Sequence, residues 1–248
     1  MRLSFELHGR RAEVDLSESI SLSIPLISGQ DGPNCFYAPL FEASPVRMGD
    51  FVGSTSEGGI VNFFNVRINP HGNGTHTECV GHIAKEALYL PDVLDSYQGI
   101  AELMTIWPTK MADGDLVILP DQLDLNLSVE CLVIRTMPNP IEKKNRSYSG
   151  TNPCYFHPDT LQKIRNLGIK HLLVDLPSVD REEDGGALLS HKYFWDYPAT
   201  LDRERTITEL IFVPDQLPDG LYFIGIHVLP IQLDVSPSQV TLTPVRFG

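Results

Sequence analysis

The stretch from Cys131 to Leu176 constrains the fold more than any other part of the chain. It opens on an apolar run, CLVIRT at 131–136, that reads as a strand. In HPDTLQKIRNLG, at 157–168, Pro158 suits the first helical position and Gly168 the stop. Leu161, Ile164 and Leu167 make an apolar stripe at three-residue steps in that helix. KHLLVDLPS follows at once, with a strand expected over Leu172 to Leu176. Strand, helix and strand in that order predict a βαβ-like unit.

Most other strong segments also read as strands: Ile60 to Ile68, Leu116 to Leu119, Leu221 to Val228 and Val240 to Val245. In the first of these, Phe64, Val66 and Ile68 share one face. Ile83 to Leu90 offers a second, weaker helix. Pro and Gly, 19 each, are spread along the chain as turn punctuation, with no repeat and no long linker. The expectation is one mixed α/β domain over residues 1–248 with a β-rich core. At 248 residues, such a core needs no disulfide or metal staple.

A net charge of -13 argues against nucleic acid and anionic membrane surfaces as partners, and reads most simply as solubility. Cys35, Cys79, Cys131 and Cys154 form no CxxC pair and lack zinc-knuckle spacing. The first residues are charged throughout, and no run approaches the roughly 18 apolar residues of a membrane span. A cytoplasmic protein with reduced thiols is expected.

NPHGNGTHTECVGHI, at 69–83, carries three of the eight histidines, one glutamate and three glycines. Buried imidazoles and carboxylates must each find a partner, and a gripped cation provides one. Pro70, Gly72 and Gly74 interrupt regular structure, so His71 to Thr75 reads as a loop. If the chain then extends, His76 and Glu78 point to the same side. His71 can curl back over them, a set that suits Zn²⁺, Mn²⁺ or Fe²⁺. His82 borders this group. HxxxxHxE is not a stock metal motif, and the spacing alone leaves open an ordinary Gly-rich turn bearing surface histidines.

HGNGTHTECVGH resembles the signature of the cyclase family of metal-dependent hydrolases, which includes bacterial kynurenine formamidases and isatin hydrolases. That signature reads roughly His-x-Gly-Thr-His-x-Asp-x-Pro-x-His. VDLSESISLSIP at 14–25 and LGIKHLLVDLPSVD at 167–180 resemble further family segments in the right order. SHKYF then offers a histidine, ITEL a glutamate, and DGLYFIGIHVLPIQL the late strand. The resemblance implies a swivelling β/β/α-type fold, a small-molecule substrate and a homodimer. It implies a divalent metal, Zn²⁺ first and Mn²⁺ second, with one or two ions per chain. By the same resemblance the ligands are His71, His76 and Glu78, with His191 and Glu209 completing a second position. His82 falls where the family places its general acid/base.

Four departures stand out. One extra residue separates His71 from Gly74-Thr75, Glu78 replaces Asp, Cys79-Val80-Gly81 lacks the usual proline, and the gap between His191 and Glu209 is wide. The widened gap suggests that Phe194, Trp195 and Tyr197 belong to a loop over the pocket, with mere packing of these aromatics as the alternative reading. His227 reads as an inward, hydrogen-bonded histidine, DREED at 180–184 as a solvated loop, and Asp175 and Asp180 as structural hydrogen-bonding acids. Ser178 lacks a GxSxG elbow, which disfavours a serine hydrolase.

The implied chemistry is hydrolysis of an amide-type C–N bond, in an N-formyl aromatic amine or a cyclic amide, by metal-activated water. An imidazole suits protonation of the departing nitrogen. The rivals are a lactone or ester hydrolase or cyclase with the same centre, and a non-catalytic metal- or small-molecule-binding protein.

Overall fold

The computed structural model describes residues 1–29, 32–94, 96–125 and 129–248. Its central sheet contains β1 (His76–Cys79), β2 (Ser96–Ile106), β3 (Cys131–Thr136), β4 (His171–Val174), β5 (Thr206–Glu209), β6 (Gly220–Val228) and β7 (Val235–Pro244). The order is β6-β2-β3-β4-β5-β1-β7, and pairing of β7 with β6 closes it into a barrel-like ring. Strands β2 to β5 run parallel, and the remaining pairings are antiparallel. Closure pairs edges that an open sheet would leave bare. The short strand Ile20–Ser21 adds to the outside of β7.

The helices are α1 (Pro70–Asn73), α2 (Pro158–Asn166) and α3 (Leu189–Trp195). The predicted βαβ unit is present as β3, α2 and β4, in parallel register from Cys131 opposite His171 to Ile134 opposite Val174. Every residue of β3 is buried: the apolar run Cys131–Ile134 suits a strand covered on both faces, and Arg135 is buried with hydrogen bonds to Thr105 Oγ1 and the Pro214 and Leu217 carbonyls. Leu161 and Ile164 of α2 are fully buried, which favours folding by about 1.5–3 kcal/mol each. Leu167 departs from the expected stripe: it is 45% exposed, because the helix ends before it. Gly168 turns the chain there at φ +84°, a left-handed conformation suited to glycine.

Three other expectations change. Within Ile60 to Ile68 only Phe64–Arg67 is a strand, and it pairs with Glu42–Pro45 in a two-stranded ribbon outside the barrel. No layer of described residues covers that ribbon, so Val66 stays 65% exposed, and Ile60, ahead of the strand, is 89% exposed. Ile83 to Leu90 forms no helix. The backbone folds back so closely that a Cβ on Gly81 would lie 2.1 Å from the Leu88 carbonyl oxygen. His227 faces solvent, because the alternation of β6 turns Ile224 and Ile226 inward.

Candidate metal centre

Strand β1 supplies the floor of the site. Its pleat puts His76 and Glu78 on one face, as predicted, and both are fully buried. Strand β5 pairs antiparallel to it with Glu209 opposite His76. The register brings Glu209 Oε2 to 3.3 Å from His76 Nε2.

His71 arrives on a turn of helix rather than a loop. Asn69 accepts a hydrogen bond from the Gly72 N–H at 3.0 Å, and Pro70 takes the first helical position. A side chain at Gly72 would meet the Ala38 Cβ at 2.3 Å, so the Cys35–Ala38 segment can pack against this turn only because residue 72 is glycine. The turn directs His71 Nδ1 to Glu78 Oε2, 3.2 Å away, and Nε2 to Asp234 Oδ2, also 3.2 Å away.

His191 comes from α3. Asp180 fixes it, accepting hydrogen bonds from the Ser190 N–H at 2.7 Å and the His191 N–H at 3.3 Å, and pairing with His191 Nδ1 at 2.5 Å. With Nδ1 engaged there, Nε2 reaches Glu78 Oε1 at 3.0 Å. His82 Nδ1 lies 3.8 Å from Glu78 Oε2 and 3.5 Å from Asp234 Oδ2. The six residues singled out in the sequence, His71, His76, Glu78, His82, His191 and Glu209, therefore converge on one centre.

Asp234 was not visible as a site residue. It precedes β7, and its carbonyl accepts a hydrogen bond from the Cys79 N–H at 3.0 Å. Only the pairing of β7 with β1 brings it near the histidines. The signal in the sequence was a lone acid at the end of the apolar run LPIQL.

The donor atoms fit a cation. His76 Nε2 and Glu78 Oε2 are buried and have no hydrogen-bond partner among the described residues. Ligand atoms of His71, His76 and Glu78 lie within 4.8 Å of one another, as do those of Glu78, His82 and His191, and those of His71, His82 and Asp234. Glu78 is common to the first two sets, and its two oxygens face different histidines.

Without a cation, protons balance the charge. Burial disfavours the imidazolium of His71, but Asp234 and Glu78 outweigh it and carry its pKa up to about 10. Burial likewise opposes charge on His191, while Asp180 and Glu78 hold its pKa well above the usual range. Burial favours a protonated Glu78, yet His82, His191 and His71 keep its pKa well below the ordinary value. A divalent ion would take the place of these protons.

Asp180 plays the hydrogen-bonding part expected of it: at the head of the DREED run it is only 7% exposed and orients His191, so the exposed part of that run begins at Arg181. Phe194 and Trp195 form no lid, because α3 buries both completely. The Trp195 ring lies 5.4 Å from that of His191, and its indole N–H donates to the Arg205 carbonyl at 3.0 Å. Tyr197 packs nearby, its hydroxyl accepting from the Lys85 N–H at 3.1 Å. Asp175 plays the expected structural part, accepting from Thr136 N–H at 3.0 Å and from Lys143 Nζ at 2.8 Å.

The centre opens into a cavity of about 530 Å³. His71, His82, His191 and Glu209 line it together with Phe36 and Tyr37. No described helix is long and apolar enough to cross a membrane.

A barrel-like β-rich fold thus encloses a His/Glu cluster that could hold a metal ion. The profile of the Cyclase family, described as "Putative cyclase", matches residues 14–181, and the chain belongs to that family. No curated protein matches it. Among solved structures, a novel cyclase is 16% identical with a TM-score of 0.67, over 93% of this chain and 88% of the other. An isatin hydrolase bound to the product analogue thioisatinate is 17% identical, TM-score 0.64, over 92% and 94%. A predicted metal-dependent hydrolase from Bacillus stearothermophilus is 16% identical, TM-score 0.60, over 91% and 97%. At these identities the likeness concerns the fold.

Proposed function

We propose that the protein is a metal-dependent hydrolase that cleaves an amide-type C–N bond in a small molecule, with an N-formyl aromatic amine or a cyclic amide as the substrate class. The observation that carries this reading is the convergence of buried donor atoms at an open cavity: His76 Nε2 and Glu78 Oε2 make no hydrogen bond among the described residues and face Glu209 and His71 at 3.3 and 3.2 Å, with His191 beside them. The isatin hydrolase among the structural neighbours supports the choice of a hydrolase.

His71, His76, Glu78, His191 and Glu209 would hold the ion, with Zn²⁺ favoured by the mixed nitrogen and carboxylate donors and Mn²⁺ second. When bound, a divalent ion makes a water nucleophilic near neutral pH and polarises a carbonyl oxygen. Glu78 presents one oxygen towards His71 and the other towards His191, which suits a bridging role if two ions bind. Asp180 keeps the Nδ1 proton of His191, so that Nε2 offers its lone pair. His82 lines the cavity, half-buried, with Asp234 at its Nδ1, and is assigned to protonate the departing nitrogen.

One such domain over residues 1–248 and a homodimer complete the reading. The exposed apolar residues of the ribbon, Phe64 and Val66, and of the segment leading into it, Ile60 and Phe63, support self-association. The test is turnover of formanilides, cyclic amides, esters and lactones by zinc- and manganese-loaded protein. Cleavage of an amide carries the proposal; cleavage of esters or lactones alone, or of nothing, overturns it.

A further inference from the structure

Arg181 is the one lysine or arginine among the described residues lining the cavity of the metal centre. The acids around it are already committed. Glu182 accepts hydrogen bonds from the Gly150 and Asn152 N–H groups at 2.6 and 3.0 Å. Asp184 accepts from those of Gly186 and Leu188 at 2.7 and 2.6 Å. Asp180 holds His191.

Arg181 is braced from behind. Its Nε lies 3.0 Å from Asp115 Oδ2, and its Nη2 donates to Oδ1 at 3.3 Å. Asp115 is 4% exposed and is itself fixed by the Tyr155 hydroxyl and Asn152 Nδ2, both at 2.7 Å. One edge of the guanidinium is thereby engaged. Nη1 makes no hydrogen bond among the described residues, which leaves the outer edge of the fork free. A guanidinium held by one edge presents the other in a fixed plane, matched to the two oxygens of a carboxylate. The cavity is otherwise acidic, so a monoanion enters it at lower cost than a phosphate dianion. Phe36 and Tyr37 line the same space and suit an aromatic ring.

We propose that Arg181 is the substrate-binding residue that selects an aromatic amide carrying a carboxylate group, with Asp115 as its positioning residue. The substrate part of this inference rests on the hydrolase reading above. The probes are ortho-, meta- and para-formamidobenzoate, with formanilide as the neutral control, assayed on the metal-loaded protein. R181M is expected to raise KM for the best formamidobenzoate by roughly 10- to 100-fold, the range of a lost charge-assisted hydrogen bond, with kcat and formanilide hydrolysis little changed. D115N should move KM the same way by less, and R181K should recover part of the loss.

Calorimetric binding of benzoate and benzamide to the same proteins needs no turnover. Benzoate binding that weakens in R181M while benzamide binding holds supports the proposal even if no amide is cleaved, in which case only the hydrolase reading falls. Benzoate that binds wild type and R181M alike, or binds neither, overturns it. So do equal losses for the charged and neutral probes.

Discussion

Replacing Asp180 by asparagine tests the proposed grip of the centre on a metal ion. Asparagine keeps the size of the side chain and an oxygen for the Ser190 N–H, so α3 should keep its place. What goes is the negative charge 2.5 Å from His191 Nδ1. That charge fixes the tautomer and makes Nε2 a stronger donor. Loss of such a partner typically weakens metal affinity 10- to 100-fold, or about 1.4–2.7 kcal/mol. The upper end is expected here, because the side chains of His191 and Asp180 are only 2% and 7% exposed and water can replace little of the lost charge. Competition with a chromophoric chelator for Zn²⁺ measures the change. D175N is the control: Asp175 is buried too, at 1% exposure, but binds Thr136 and Lys143 instead. Unchanged zinc affinity in D180N, or an equal loss in D175N, refutes the reasoning.

His82→Ala should lower hydrolysis roughly 10²- to 10⁴-fold while zinc content stays constant; loss of the zinc instead would make His82 a ligand. Metal binding should release protons at neutral pH. His71 holds a proton up to about pH 10 in the metal-free protein, and an ion must displace it, so affinity should rise roughly tenfold per pH unit for each proton displaced as pH climbs towards that value. The same imidazolium stabilises the metal-free fold fully below the ordinary histidine pKa of about 6.5, and this contribution is lost as pH rises through about 10. Calorimetry in buffers of different ionisation enthalpy reads the proton count, and a count of zero contradicts the assignment. Gly72→Ala should destabilise the protein by about 1–3 kcal/mol in urea unfolding, because its Cβ would meet that of Ala38 at 2.3 Å. Val66→Asp should shift sedimentation towards monomer, and unchanged sedimentation contradicts the exposed ribbon as the dimer contact.

The parts legible in the sequence were those set by local rules. The runs at 131–136 and 172–176 declared two strands of a βαβ-like unit, the second observed at His171–Val174; Pro158 and Gly168 marked the ends of the helix between them, and the pleat put His76 and Glu78 on one face. Density of histidine marked the site, and family resemblance added His191 and Glu209. What stayed hidden depends on long-range pairing. Asp234 joins only because β7 lies beside β1, and Arg181 gains its orientation from Asp115, 66 residues earlier. Phe194 and Trp195 misled because an aromatic-rich gap reads like a lid, whereas α3 turns both into the core. The run at 60–68 has strand composition without a partner layer, and composition cannot report what covers a face.

Anomalous diffraction at the zinc edge, from crystals of the zinc-loaded protein, tests the central claim most directly. The predicted result is an anomalous peak about 2.0–2.2 Å from His76 Nε2 and from a Glu78 carboxylate oxygen. A map with no peak there, or with zinc bound only elsewhere, contradicts the account.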